Sequence, residues 1–172
     1  MRRIRYSVAM SLDGYIAGPK GEADWIIMDP EIDFIALFNQ FDTMLLGRKT
    51  FEAALKQGGA GEMPGMQTYV FSRTLRQQDH PGVTIVAETQ TTMLTELKKK
   101  AGKDIWLMGG GSLFSSLVAV GMVDTVEVAV IPVVLGTGVP LVAPSAQQVK
   151  LKLANTKWYK KTGIVSLAYA VT

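Results

Sequence analysis

Apolar and polar residues alternate along residues 5–10, with Tyr6, Val8 and Met10 on one side and the small Ser7 and Ala9 on the other. A period of two predicts a first strand there, and the small residues leave room on one of its faces. Short apolar runs at 43–46, 68–71, 83–87 and 105–108 predict further strands, the last of them buried on both faces. Between the runs the period becomes helical. Phe34, Leu37, Phe38 and Phe41 form one stripe, residues 48–55 make a second segment, and Leu94 with Leu97 mark a third within 92–100. Asp29-Pro30 supplies the N-cap and first-turn proline expected at the start of the first helix.

The signal that organises the chain is residues 103–117, a strand, a glycine turn and a helix without a break. Gly109, Gly110 and Gly111 allow positive φ and close approach of a ligand to the main chain. Ser112 stands where an N-cap belongs, ahead of a helix with Leu113, Leu117 and Val120 on one side. Free amides and the positive end of a helix dipole then converge on one spot, which suits a phosphate or pyrophosphate. The triplet matches neither the spaced dinucleotide fingerprint nor the lysine-bearing phosphate loop, and a plain tight connection would use the same glycines. The logic recurs at Gly47-Arg48-Lys49-Thr50, where a strand passes through glycine into a helix bearing two cations and a hydroxyl. Ser72 and Arg73 follow another strand, and ligands of open α/β sheets gather at such ends.

From residue 125 only strands are predicted. Val126, Val128 and Val130 alternate, and residues 150–159 and 164–171 form an antiparallel hairpin about a turn at 161–163. Residues 11–21 read as a glycine-punctuated flap over a site, and 57–65 as loop. The expected architecture is one α/β domain over residues 1–172, with a mostly parallel mixed sheet, helices on both faces and a C-terminal hairpin.

Composition narrows the chemistry. The chain has 172 residues, no cysteine and one histidine, His80. Thiolate metal sites, disulfides and cysteine nucleophiles are excluded, and no multi-histidine metal site can form, so no metal is expected. A net charge of +3 suits small anions and falls short of a nucleic-acid surface; Lys98-Lys99-Lys100 reads as the solvated end of a helix. No signal peptide or membrane span is evident, which leads us to expect a cytoplasmic protein with no membrane partner. Glu31 lies on the line of Phe34 and Phe38, with Asp33 beside it. A carboxyl bordering an apolar surface would have a raised pKa and could handle protons, whereas acids in a first helical turn also simply complement the dipole.

Four segments, 9–17, 46–52, 70–73 and 108–113, in this order and spacing, resemble the dihydrofolate reductase superfamily nearly from end to end. Ser11-Leu12-Asp13-Gly14 and residues 132–138 bring the chain closest to the reductase domain of bacterial riboflavin biosynthesis, in stand-alone form. The resemblance implies a dihydrofolate reductase-like three-layer fold and NADPH as cofactor. It places Ala9 and Ile16 beside the nicotinamide and Gly47, Arg48, Lys49 and Thr50 along the pyrophosphate and adenosine phosphate. Ser72 and Arg73 would meet the 2′-phosphate, and Gly109, Gly110, Gly111, Ser112 and Leu113 would form the glycine turn, with a cis peptide between Gly109 and Gly110. Trp25 and Phe34 would wall the substrate side, Glu31 or Asp33 would be the proton donor, and the late strands would join a homodimer.

The activity so implied is hydride transfer to a small heterocyclic or ribosylamino substrate, as in 5-amino-6-(5-phosphoribosylamino)uracil reductase. Dihydrofolate reduction is one alternative, and an NADP(H)-binding module without turnover is another. Ser7 and Tyr15 stand where the riboflavin enzymes usually carry a lysine and an arginine. With no cysteine for zinc, the bifunctional enzyme with its deaminase domain is not expected.

Overall fold

A computed structural model describes residues 1–58, 63–87, 91–144 and 148–172. Ten strands and four helices follow in the order β1 (Ile4–Ser11), β2 (Tyr15–Ala17), α1 (Phe34–Phe38), β3 (Phe41–Gly47), α2 (Arg48–Lys56), β4 (Gln67–Phe71) and β5 (Thr84–Val86). Then come α3 (Thr91–Lys99), β6 (Asp104–Gly109), α4 (Gly111–Ala119), β7 (Thr125–Ile131), β8 (Val139–Pro140), β9 (Leu151–Trp158) and β10 (Val165–Val171). Eight strands form one sheet in the order β5-β4-β3-β6-β1-β7-β10-β9, and β2 pairs with β8 apart from it. Pairing is parallel from β5 to β7. β10 then runs antiparallel to β7, and β9 to β10. The expected mixed α/β sheet and C-terminal hairpin are present.

Alternation along the strands sends side chains to two faces, each covered by helices. Ile4, Tyr6, Leu45, Leu107, Val126 and Val128 pack with Leu94 and Leu97 of α3 and with Leu113, Phe114 and Leu117 of α4. Met44, Leu46 and Val70 point the other way, onto Phe51 of α2. Phe38 of α1 covers Trp106 on that second face, with ring centroids 5.3 Å apart.

Four local expectations are corrected. The first helix does not start at Asp29-Pro30: Asp33 is its N-cap, accepting from Ala36 N at 2.9 Å, and Phe41 begins β3. The reason is that Trp25, Ile26 and Ile32 pack against Ile131, Tyr159 and Ile164, holding 25–32 as a turn outside the helix. Residues 11–21 are not a free flap, since β2 lies within them and is tied to β8. The glycine-turn helix is capped by Gly110, two residues earlier than Ser112 predicts, and Val120 is exposed beyond its end. Lys98 is buried and donates to Asp124 at 2.7 Å, so only the rest of its run is solvated. Part of the 57–65 loop, residues 59–62, lies outside the described residues. Among those described, no helix is long and apolar enough to cross a membrane.

Candidate functional site

The carboxyl ends of β3 and β6 are neighbours, and each passes through glycine into a helix. Gly47 caps α2 and Gly110 caps α4, and neither helix has a side-chain cap. The amides of both first turns are therefore left for a ligand, with two helix dipoles aimed at the same place. The strands approach closely because glycine leaves space. A Cβ on Gly47 would stand 3.5 Å from both Gly109 O and Gly110 N, and one on Gly110 would stand 3.4 Å from Thr50 Oγ1. The peptide between Gly109 and Gly110 is cis, and Gly109 has φ +133°. Ile16 of β2 closes the cradle, its Cδ1 3.9 Å from where a Cβ on Gly109 would be. Ile16, Gly47, Thr50, Gly109, Gly110 and Leu113 are thus brought together.

The cations lie at the rim. Arg48 donates to both carboxylate oxygens of Glu52, at 2.9 and 3.1 Å, in a half-exposed pair that an anion can exchange at little cost. Lys49 is exposed. Gly47 pairs with Phe71, which sets Ser72 and Arg73 just past the next strand end. Arg73 is exposed, while Ser72 is buried and its Oγ accepts from Thr74 N and Leu75 N at 3.2 and 3.0 Å. That hydroxyl shapes the turn. Ser112 lies exposed in the first turn of α4 and does not cap it. Gly111 carries a steric demand of its own: a Cβ there would meet Pro140 O at 2.5 Å and Leu141 O at 2.8 Å.

Ala9, expected beside the nicotinamide, belongs to the cluster of Trp25, Ile26 and Ile131, and the Trp25 indole donates to Glu22 O at 3.1 Å. Phe34 is half-buried, its ring 6.1 Å from Phe38. Glu31 and Asp33 are both exposed, and the Asp33 carboxylate is engaged as a helix cap, so neither acid is enclosed by apolar surface.

The carboxylates that the fold does engage are others. Asp29 is 2% exposed and accepts from Thr162 Oγ1 at 2.7 Å and Glu31 N at 2.8 Å. The Thr162 hydroxyl first, then the Glu31 amide with Lys161 and Lys157, hold its carboxyl below the usual range despite desolvation. Asp13 bonds Ser11 and two amides of the 133–138 segment. Glu127 receives a forked pair of bonds from Arg5. An Asp before Pro was the one signal that could have drawn attention to Asp29; nothing local marks its partner.

Among the described residues a cleft of about 610 Å³ opens at the other end of the sheet beside Arg2, Arg3, Lys100 and Lys103. Its arginines are paired with Asp42 and Asp104, and no strand carboxyl end faces it. The glycine cradle is the better site because its donors are unspent.

A family model described as the RibD C-terminal domain matches residues 2–165. The chain belongs to the RibD C-terminal domain family. The Bacillus subtilis (strain 168) protein YyaP, itself uncharacterized, is 38% identical over 179 residues, which cover 98% of this RibD-type chain and 94% of that protein. A Shewanella sp. PV-4 protein ascribed to riboflavin biosynthesis superposes with a TM-score of 0.82 at 24% identity, covering 100% and 99% of the two chains. Enterococcus faecalis dihydrofolate reductase, solved with NADP(H), superposes with a TM-score of 0.71 at 17% identity over 99% of this chain and 96% of that one. At those identities the structures establish the fold, which is dihydrofolate reductase-like.

Proposed function

We propose that the protein is an NADPH-dependent reductase of the riboflavin-biosynthesis type, acting on a small heterocyclic or ribosylamino substrate. The observation that carries this reading is the pair of uncapped helix N-termini meeting across Gly47, Gly109 and Gly110, where side chains are absent and amide donors are open. Family membership supports it. The cofactor, when bound, supplies the hydride. The first-turn amides of α2 and α4, with Thr50, hold its phosphates. Ile16 and Ala9 flank the nicotinamide, Leu113 and Ser112 complete the turn of α4, and Gly111 admits the 140–141 backbone. Arg48 and Arg73, with Ser72, favour the extra phosphate of NADPH over NADH, since guanidinium groups offer forked donors, and Lys49 lies along the pyrophosphate and adenosine phosphate. Trp25 and Phe34 wall the substrate side, and Glu31 or Asp33 supplies or relays a proton.

A second reading, an NADP(H)-binding module without turnover, is favoured by one observation: both of those acids are exposed, and Asp33 is occupied as a cap. Dihydrofolate reduction ranks lower for the same reason. We further propose a cytoplasmic homodimer joined through the late strands, because every residue of β9 is exposed.

A thermal-shift titration with NADPH and NADH in parallel tests the reading, since a ligand bound to the folded state must raise the melting point. A larger rise with NADPH is expected. No rise with either removes the reductase reading, and a rise without NADPH oxidation across heterocyclic and ribosylamino substrates leaves the binding module.

A further inference from the structure

Ser11-Leu12-Asp13-Gly14 has no role in the site as described, yet its carboxylate reaches across the chain. Ser11 Oγ donates to Asp13 Oδ1 at 2.7 Å and accepts from Tyr15 N at 3.0 Å, closing a tight turn between β1 and β2. An Asp in such a turn ordinarily serves only its own backbone. Here Asp13 Oδ1 also accepts from Leu135 N at 3.1 Å, and Oδ2 accepts from Gly136 N at 2.7 Å, in a segment 122 and 123 residues away. Leu12 N donates to Val133 O at 2.8 Å on the same side. The exposed Asp13 carboxylate supplies two of the three bonds that stitch these loops.

The stitched loops lead directly to the cradle. Beyond 133–138 the chain forms β8, where Val139 and Pro140 pair with Ala17 and Tyr15 of β2. Leu141 N then donates to Gly14 O at 2.8 Å. β2 carries Ile16 toward Gly109, and the carbonyls of Pro140 and Leu141 abut Gly111 at the start of α4. A two-residue pairing is too short to hold itself.

We propose that Asp13 is a positioning residue, whose carboxylate fixes the 133–138 loop to the β1–β2 turn and thereby sets Ile16 and the 140–141 backbone against the glycine turn. It touches no ligand and acts through β2 and β8. What the cradle holds rests on the cofactor reading above; the mechanical role does not.

Asp13→Asn separates the two. Asparagine keeps the shape but turns an amino group toward one of the backbone N–H donors, losing a charge-assisted bond. In ligand-free protein, hydrogen exchange at the amides of Tyr15, Ile16, Ala17, Val139 and Leu141 is expected to quicken about tenfold, the loss of protection expected of one such bond. NADPH binding is expected to weaken by about the same factor, while the melting point stays within about 3 °C of the parent because the carboxylate is exposed. Ser11→Ala should show the same pattern more weakly. Unchanged exchange in Asp13→Asn overturns the proposal, as does a melting point lowered by about 10 °C or more, which would make Asp13 a residue of global stability. Absence of NADPH binding in the parent would sink the cofactor reading and leave the exchange result to decide the clamp.

Discussion

The Tyr6 hydroxyl donates to the Leu141 carbonyl at 2.8 Å, tying the middle of β1 to the loop that rests on Gly111. Tyr6 is fully buried and its ring stacks on Phe114 at 4.2 Å. Tyr6→Phe keeps the stack and strands the carbonyl, so a loss of about 1 kcal/mol is expected, read as a melting point lower by roughly 2–4 °C. Burial also pushes the Tyr6 hydroxyl above its ordinary value of 10.0. The folded state therefore keeps this proton to higher pH than the unfolded one, and the contribution is whole below about pH 10 and lost as pH rises beyond it. Stability measured from pH 9 to 11 should fall less steeply in Tyr6→Phe.

Gly111→Ala should fail for a steric reason that no rotamer relieves. The added methyl would meet two backbone carbonyls, at 2.5 and 2.8 Å, so the 140–141 loop must retreat. A destabilisation of about 1–3 kcal/mol is expected, with a smaller NADPH-induced rise in melting point. Retained stability and an undiminished rise would show that this loop yields freely.

Arg5, buried, and Glu127, partly buried, form a forked pair on the second face of the sheet, with both bonds at 2.7 Å and the guanidinium 4.7 Å from the Phe41 ring centroid. Burial opposes the Arg5 charge, but Glu127 and then Asp104 outweigh it and hold the pKa above its ordinary value. Glu127→Ala takes both forked bonds from the guanidinium and leaves it Gln40 at 2.7 Å and Asp104 at 3.3 Å, so a cost of about 1–3 kcal/mol is expected in denaturant unfolding. Arg5→Met combined with Glu127→Leu should recover much of that loss.

Acid should unfold the protein through identifiable carboxylates. Asp13 is held below the usual range by Ser11 and then two loop amides, and Asp29 by Thr162 first. At Asp104 desolvation is the largest influence and acts upward, but the bonds from Arg3 and Arg5 prevail. Each folded-state pKa lies below its unfolded value near 3.8, so the unfolded chain binds protons first as pH falls. Their stabilisation is whole above about pH 5 and is lost as pH drops through the folded pKa values. Urea unfolding between pH 3 and 6 should show this slope, flattened in Asp29→Asn.

The exposed β9 face predicts the oligomer. Leu153 and Trp158 are 51% and 63% exposed on β9, an edge strand whose every residue is exposed, an arrangement that soluble chains usually bury against a partner. Sedimentation is expected to show a dimer at micromolar concentration, and Leu153→Glu with Trp158→Glu a monomer. A parent that sediments as a monomer would remove the dimer.

Much of this could be read locally. The alternation of Tyr6, Val8 and Met10, the short runs ending at Gly47 and Gly109, and the glycine triplet depend on neighbours a few positions apart, and each element appears within one or two residues of where its pattern places it. Helix starts were harder. Asp29 and Asp33 have the same capping chemistry, and Gly110 and Ser112 are both tolerated as caps for different reasons, one by backbone freedom and one by its hydroxyl; spacing does not choose between them.

The sequence by itself determined the strand and helix periods, the order along the chain of the strands of the main sheet and the glycines that permit two chain turns to approach. Those are consequences of steric rules acting over a few bonds. Tertiary structure alone decided that Asp29 serves Thr162, that Asp13 clamps Leu135 and Gly136, and that Lys98 pairs with Asp124. A short polar side chain has several partners of similar strength within reach of its own backbone. Only the packing of distant segments, here Ile26 and Ile32 on Ile131, Tyr159 and Ile164, removes water from one choice and makes it the stable one.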